Sequence, residues 1–228
     1  MQIKEMIDSH ELADKMNEAD PMGAGLAGVV EFVNPETGKT LLVRHNLVVQ
    51  RGRTFALEKM YGVDAPTGAN YTADLSRTIM LFSVGTGGCP ANDPFSPIPV
   101  QPTDVELSSK VPLRIVDPAN SLTNIKPEDV PFYPIYETIG GKKHYKYKKF
   151  NESDAQFVVN KSENKIYRRL PIYISELDCR DQKINELALY FCNSDHKNVE
   201  MYSRLTFDTE SMSSVVNKGL LIYYYTYA

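Results

Sequence analysis

The chain has 228 residues and a formal net charge of −4, enough for one sizeable domain that buries a core without disulfides or metals. Hydrophobic residues make up 42% and charged residues 24%, a composition that excludes a disordered chain, and the acidic balance disfavours a protein built mainly to bind nucleic acid. Three scattered cysteines, Cys89, Cys179 and Cys192, lack the spacing of a zinc site or disulfide frame and suit a reducing compartment.

The opening residues carry charges where a signal peptide would need an apolar stretch. Residues 3–19 place Ile3, Met6, Ile7 and Met16 on one face at helical spacing, so residues 1–20 are expected to form an amphipathic helix. Pro21 and Gly23 end it, and a Gly-rich linker follows over 21–28. Residues 27–33 and 40–44 flank the turn-rich Asn34-Pro35-Glu36-Thr37-Gly38-Lys39, predicting a β-hairpin. Residues 51–61, with Phe55, Leu57, Met60 and Tyr61, predict a short helix. Residues 77–84 are apolar on both faces and read as a buried central strand ending in Gly85-Thr86-Gly87-Gly88.

Ten of the 14 prolines fall between residues 90 and 134. Proline removes backbone donors that a sheet interior needs, so this stretch is expected to be an extended arm, with a short helical turn near 103–110. Its apolar residues Phe95, Ile98, Val100 and Val105 are expected in pockets on the chain's own surface or a neighbour's. Beyond residue 132 the pattern alternates with period two. Residues 133–139 and 142–150 flank Gly140-Gly141, a strong hairpin signal. Further strands are predicted at 155–160, 165–177, 184–192, 199–207 and 219–227, with Pro171 marking an edge or bulge. The fold class is mainly β, an antiparallel sandwich or small barrel with minor helix. Residues 29–228 form a single β-rich domain carrying the arm at 90–134.

Chemistry-bearing motifs are sparse. Gly23-Ala24-Gly25-Leu26-Ala27-Gly28 has the letters of a dinucleotide loop, but a helix precedes it and a strand follows, the reverse of what pyrophosphate binding needs. Gly85-Thr86-Gly87-Gly88 follows a strand as a phosphate cradle would, yet no Gly-Lys-Ser/Thr follows, so a tight turn is expected. His10, His45, His144 and His196 show no metal or triad spacing. No catalytic, cofactor or metal residue is assigned, and no enzyme is expected. A basic hairpin does stand out: Lys142, Lys143, Lys146, Lys148 and Lys149 interleave with Tyr145 and Tyr147. It suits phosphate contact and base stacking, a solvated edge that discourages strand pairing, or an acidic neighbouring subunit.

The order of these motifs resembles the structural proteins of tailed-bacteriophage virions. The stretches that carry the likeness are His45-Asn46-Leu47-Val48-Val49 with Gly52-Arg53, then Ile79-Met80-Leu81-Phe82-Ser83-Val84-Gly85-Thr86-Gly87-Gly88 leading into the proline-rich segment. Ile184-Asn185-Glu186-Leu187-Ala188-Leu189-Tyr190, Met201-Tyr202-Ser203-Arg204-Leu205-Thr206-Phe207 and the aromatic strand at 220–227 complete it. The resemblance implies a non-enzymatic component of a tail, baseplate or neck, assembled in the bacterial host cytoplasm. It also implies contacts with other virion proteins and with copies of itself in a symmetric assembly. No cofactor and no membrane contact are expected. Ile3, Met6, Ile7, Met16, Phe95, Ile98, Val100 and Val105 are the expected partner-binding residues. A capsid decoration protein, or a nucleic-acid-binding module using the lysine hairpin, stands as the alternative.

Overall fold

The computed structural model describes residues 28–34, 37–61, 78–118, 132–150, 156–160, 165–174, 178–179, 182–192, 198–209 and 220–227. The expected helix at 1–20, with Ile3, Met6, Ile7 and Met16, and residues 21–27 of the linker lie outside the described residues. Within them the chain is mainly β.

β1 (Gly28–Val33) and β2 (Thr40–Val48) form the first hairpin, closed by Asn34, whose carbonyl accepts the Gly38 amide at 2.8 Å. α1 (Gln50–Tyr61) follows, then β3 (Thr78–Gly85). β4 (Tyr136–Ile139) and β5 (Lys142–Tyr145) pair across Gly140 and Gly141, whose φ values of 58° and 75° make the tight hairpin turn that only glycine adopts at no cost. β6 (Lys148–Lys149), β7 (Gln156–Asn160), β8 (Lys165–Ile174), β9 (Glu186–Cys192), β10 (Glu200–Thr206) and β11 (Leu220–Tyr227) complete the chain.

Nine strands make one antiparallel sheet in the order β6-β3-β9-β10-β2-β1-β11-β8-β7. The sheet curls into a half-barrel. In place of the two separate layers of a sandwich, β2 joins two halves: its first part pairs with β1, and only Leu47 and Val48 pair with β10. Residues from both halves, among them Phe32, Ile172 and Ile222 from one and Phe82, Leu189 and Phe191 from the other, share one buried core. Pairing shifts by one residue on both sides of β9, leaving Met80 of β3 and Tyr202 of β10 as extra residues. Such bulges bend and twist a strand, which suits a sheet that must curl. Pro171 lies past Arg169, the last β8 residue in register with β7, where a missing donor costs least.

The bulge at Tyr202 seats the helix. Its carbonyl accepts the Val49 amide at 3.1 Å, and the arm's Pro102 carbonyl accepts the Gln50 amide at 2.7 Å. Two donors at the helix entry are thereby satisfied. Gly52 lies against the same Tyr202 carbonyl, where any Cβ would collide. Phe55 stacks on Phe191 with ring centres 4.1 Å apart. The sequence pattern counted Leu57 with Phe55 among the apolar residues of this helix. The structure puts Phe55 and Glu58 on the buried face and leaves Leu57 44% exposed, because Arg51 reaches Glu58 at 3.0 Å and also pairs with Glu200.

β9 is buried on both faces. Leu187, Leu189 and Phe191 enter the main core, while Ala188, Tyr190 and Cys192 form a second cluster with Leu107, Tyr133 and Tyr147. Leu107 belongs to the proline-rich arm, which therefore covers the outer face of the sheet.

Two expectations follow. Gly52→Ala forces the helix off the bulge and destabilises the fold by about 1–3 kcal/mol, the range of overpacking in a close contact, read from urea midpoints. Burial pushes the Tyr147 and Tyr202 hydroxyls up to about 12, above the ordinary value near 10. With the folded pKa raised, their contribution is present below about pH 10 and is lost as pH climbs towards 12. Denaturant midpoints should fall across that window, while Tyr147 and Tyr202, and Tyr190, whose burial also raises its pKa, should contribute little tyrosinate absorbance at about pH 10. Full titration there with the structure intact contradicts the burial.

Candidate functional site

The most highly organised polar feature joins the arm to the sheet. Glu186, at the start of β9, is fully buried. Its Oε1 accepts the amides of Gly87 at 3.0 Å and Ser109 at 2.9 Å, and its Oε2 accepts the amide of Ser108 at 3.1 Å. Arg204 on β10 adds two donors to Oε2, Nε at 3.2 Å and a terminal nitrogen at 2.6 Å. The rest of that guanidinium holds Asp104 at 2.8 Å and the Ser108 hydroxyl at 2.7 Å. Burial works against the Arg204 charge, but hydrogen bonds to Asp104 and Glu186 outweigh it and hold its pKa above the ordinary arginine value.

The glycine loop is explained by this clamp. Its amides bind an anion, and the anion is the chain's own: Gly87 donates to Glu186, Gly88 donates to Asn185 Oδ1 at 2.6 Å, and Thr86 donates to the Ser109 carbonyl at 2.8 Å. A Cβ at Gly87 would sit 2.6 Å from that of Ser108. Phosphate would have to displace the clamp. The helical turn expected at 103–110 does not form, because Ser108 and Ser109 give their amides to Glu186.

The arm is thus docked along its own domain. Ile98 donates its amide to the Gly88 carbonyl at 2.8 Å, and its carbonyl accepts the Thr206 hydroxyl at 2.7 Å. Thr209 donates to the Pro94 carbonyl at 2.9 Å, and Val111 to the Val84 carbonyl at 3.0 Å. Leu107, Val111 and Leu113 are buried. The residues singled out for partner contact behave differently. Phe95, Ile98 and Val105 are 55%, 41% and 73% exposed, and Val100 is half-buried. Held by backbone bonds and the clamp, the arm turns these side chains outwards instead of sinking them in pockets of its own body.

The lysine hairpin is not a uniform basic track. Lys148 is buried, with Nζ 2.5 Å from Asp178 and 2.9 Å from the Tyr173 carbonyl. Lys149 is half-buried in β6. Lys143 lies over the Tyr136 ring at 3.9 Å, and Lys146 and Lys110 both approach the Tyr147 ring. Burial and the nearby Lys146 together lower the Lys110 pKa. Lys142 and Lys143 are the exposed members. The arm continues along β5: Tyr145 donates to the Arg114 carbonyl at 3.1 Å and Val116 to the Lys143 carbonyl at 2.8 Å.

At this junction a recess of about 460 Å³ is lined by Pro112, Leu113, Arg114, Ile115, His144, Asp178 and Gln182. It gathers a histidine and an acid, yet their partners are structural. His144 Nδ1 lies 2.7 Å from the Leu113 carbonyl and so carries the proton there, and Asp178 is paired with Lys148. Among the described residues no serine, threonine or cysteine lines the recess, and burial pushes the adjacent Cys179 thiol up to about 12, far from a thiolate at neutral pH. His10 and His196 lie outside the described residues, as do residues 23–27 of the glycine motif, whose last member, Gly28, opens β1.

Sequence reasoning missed Glu186 and Arg204. Both sat at alternating positions that read as solvent-facing, and only the arm's docking makes that face an interior.

No protein-family model, curated protein or solved structure matches the chain.

Arg204→Met leaves the Glu186 carboxylate buried without its cation, and should cost about 3–5 kcal/mol. Limited proteolysis of the free wild-type protein should spare residues 90–116, and the variant should be cut there first. Equal resistance in both proteins contradicts the clamp.

Proposed function

We propose that the chain is a non-enzymatic structural protein of a tailed-bacteriophage virion, bridging neighbouring subunits in the tail, baseplate or neck. The observation that carries this reading is the arm, which is fixed in place by its backbone and the Glu186–Arg204 clamp while Phe95, Ile98 and Val105 face outwards. A rigid apolar ridge costs little ordering entropy on docking, which favours a stable subunit contact. The stretches that resemble tail and baseplate proteins fall on β2, α1, β3 with its glycine loop, β9, β10 and β11. They therefore supply the sheet and the clamp on which the ridge is mounted.

The test is a Phe95→Ser, Ile98→Ser, Val105→Ser variant. Because these side chains are exposed, denaturant midpoints should shift by no more than about 0.5 kcal/mol per site. Mass spectrometry of isolated tails and heads should find the wild-type protein in the tail fraction and the variant depleted at least about tenfold, the effect of losing a little over one kcal/mol of contact. A wild-type protein absent from purified particles overturns the reading. So does a variant incorporated as well as the wild type.

A further inference from the structure

Two surfaces carry exposed apolar side chains beside charges mostly of one sign, and the signs are opposite. The first is the outer face of the arm. Residues 90–109 contain three acids, Asp93, Asp104 and Glu106, and no base. Asp104 turns inwards to Arg204. Asp93 is exposed, and Glu106 stays 70% exposed while leaning on Lys110 at 3.9 Å. Along the segment these two carboxylates bracket the exposed Phe95, Ile98 and Val105. The second surface is the β4–β5 hairpin and the recess at its junction with the arm. Residues 136–149 hold five lysines against one acid, Glu137, and Lys142 and Lys143 are exposed beside Ile139, itself 43% exposed. Ile115, 46% exposed, belongs to the wall of the recess. Asp178, the one acid among the described residues lining the recess, is ion-paired to Lys148 and Arg114, so it does not cancel the charge of the exposed lysines.

Resting on the bridging role above, we infer that the ridge of one copy docks on the hairpin and recess of a second copy of this chain, with Phe95 entering the recess and Asp93 and Glu106 meeting Lys142 and Lys143. Within one chain these groups remain exposed, so the match is left to be made between chains. A nucleic acid would engage the lysines but leave Ile139, Ile115 and the acidic ridge unused, whereas a second copy uses both faces. The charges set orientation and speed encounter, and the apolar groups supply the adhesion. Because different patches meet, the contact is heterologous and repeats from copy to copy, closing into a ring or extending as a filament.

The experiment is sedimentation velocity of the full chain at about 0.1 M and about 1 M salt, across which the screening length falls from about 10 Å to about 3 Å. Concentration-dependent oligomers should form at low salt and weaken at high salt. Lys142→Glu with Lys143→Glu, and separately Asp93→Lys with Glu106→Lys, should each weaken self-association by about tenfold or more, as reversal of close charge pairs does. Mixing the two variants should restore assembly, since each then offers the charge the other needs. Circular dichroism melts identify any variant that fails to fold, and Phe95→Ala, which leaves every charge in place, should weaken association independently. The inference is overturned if the wild type stays monomeric at all concentrations. Loss on arm reversal alone overturns it too, since that marks a two-fold ridge-to-ridge contact, as does a mixture that stays unassembled. A monomeric protein that is nonetheless found in purified tails would leave the bridging reading standing with a different neighbour.

Discussion

The Glu186 carboxylate has no contact with water, and five donors point at it: three backbone amides and two guanidinium nitrogens. Most of what lies outside the sheet depends on that arrangement. The amides come from two segments remote in sequence, the glycine loop after β3 and the arm at 108–109. One side chain therefore fixes where the chain leaves the sheet and where it returns to it. Arg204 extends the network to Asp104, whose second role is to accept the Gln101 amide at 3.0 Å. Next to that turn, Pro102 offers its carbonyl to the helix entry. Sheet, arm and helix are thus tied through a few hydrogen-bonded steps.

A second buried ion pair serves the other end of the arm. Lys148, in the short strand β6, reaches Asp178 and the Tyr173 carbonyl of β8. β6 and β8 lie towards opposite edges of the nine-stranded sheet, so this pair spans the opening that the curl brings together. The hairpin springs from that place, and its β5 edge takes the arm's residues 114–116 as a partial third strand. The hairpin is therefore anchored at its foot and free at its tip.

Much of this fold was legible from local chemistry. Gly140-Gly141 declared its turn because both residues need positive φ, and β3, β10 and β11 declared themselves by alternation or by unbroken apolar runs. The curl was legible only as one of two alternatives, a sandwich or a small barrel. It depends on where β2 changes partners and on the extra residues at Met80 and Tyr202, which are properties of pairing and leave no mark on hydrophobic period. The clamp was hidden for a similar reason. Arg204 is 18 residues from Glu186 and 100 from Asp104, and a glutamate in an alternating strand reads as solvent-facing until something covers that face. One sign was present: a loop of closely spaced glycines with amides to offer and no phosphate motif beside it. The prolines, in turn, fit a segment that pairs with the strands only through isolated bridges among its described residues, but could not say which of its side chains would turn inwards.

Polar burial of this kind is a costly way to hold a loop, since replacing a buried ion network by well-packed apolar groups is often neutral or stabilising. Here an apolar substitute would fail on a different ground. The arm and the glycine loop bring Gly87, Ser108 and Ser109 amides into a shared interior, and a buried amide without an acceptor costs about 1–3 kcal/mol. No hydrocarbon can accept three of them, while a carboxylate can. Once a carboxylate is there its charge needs a cation, and an arginine supplies one with donors to spare for Asp104 and Ser108. A proline-rich segment cannot be held by a continuous ladder, because its prolines lack donors, so it must be held at the few residues that have them. Attachment through the backbone and a few polar groups leaves the side chains to turn either way, inwards at Leu107 and outwards at Ile98. Phe95, Ile98 and Val105 accordingly stand outwards on a segment whose backbone is fixed, at Ile98 by that residue's own amide and carbonyl.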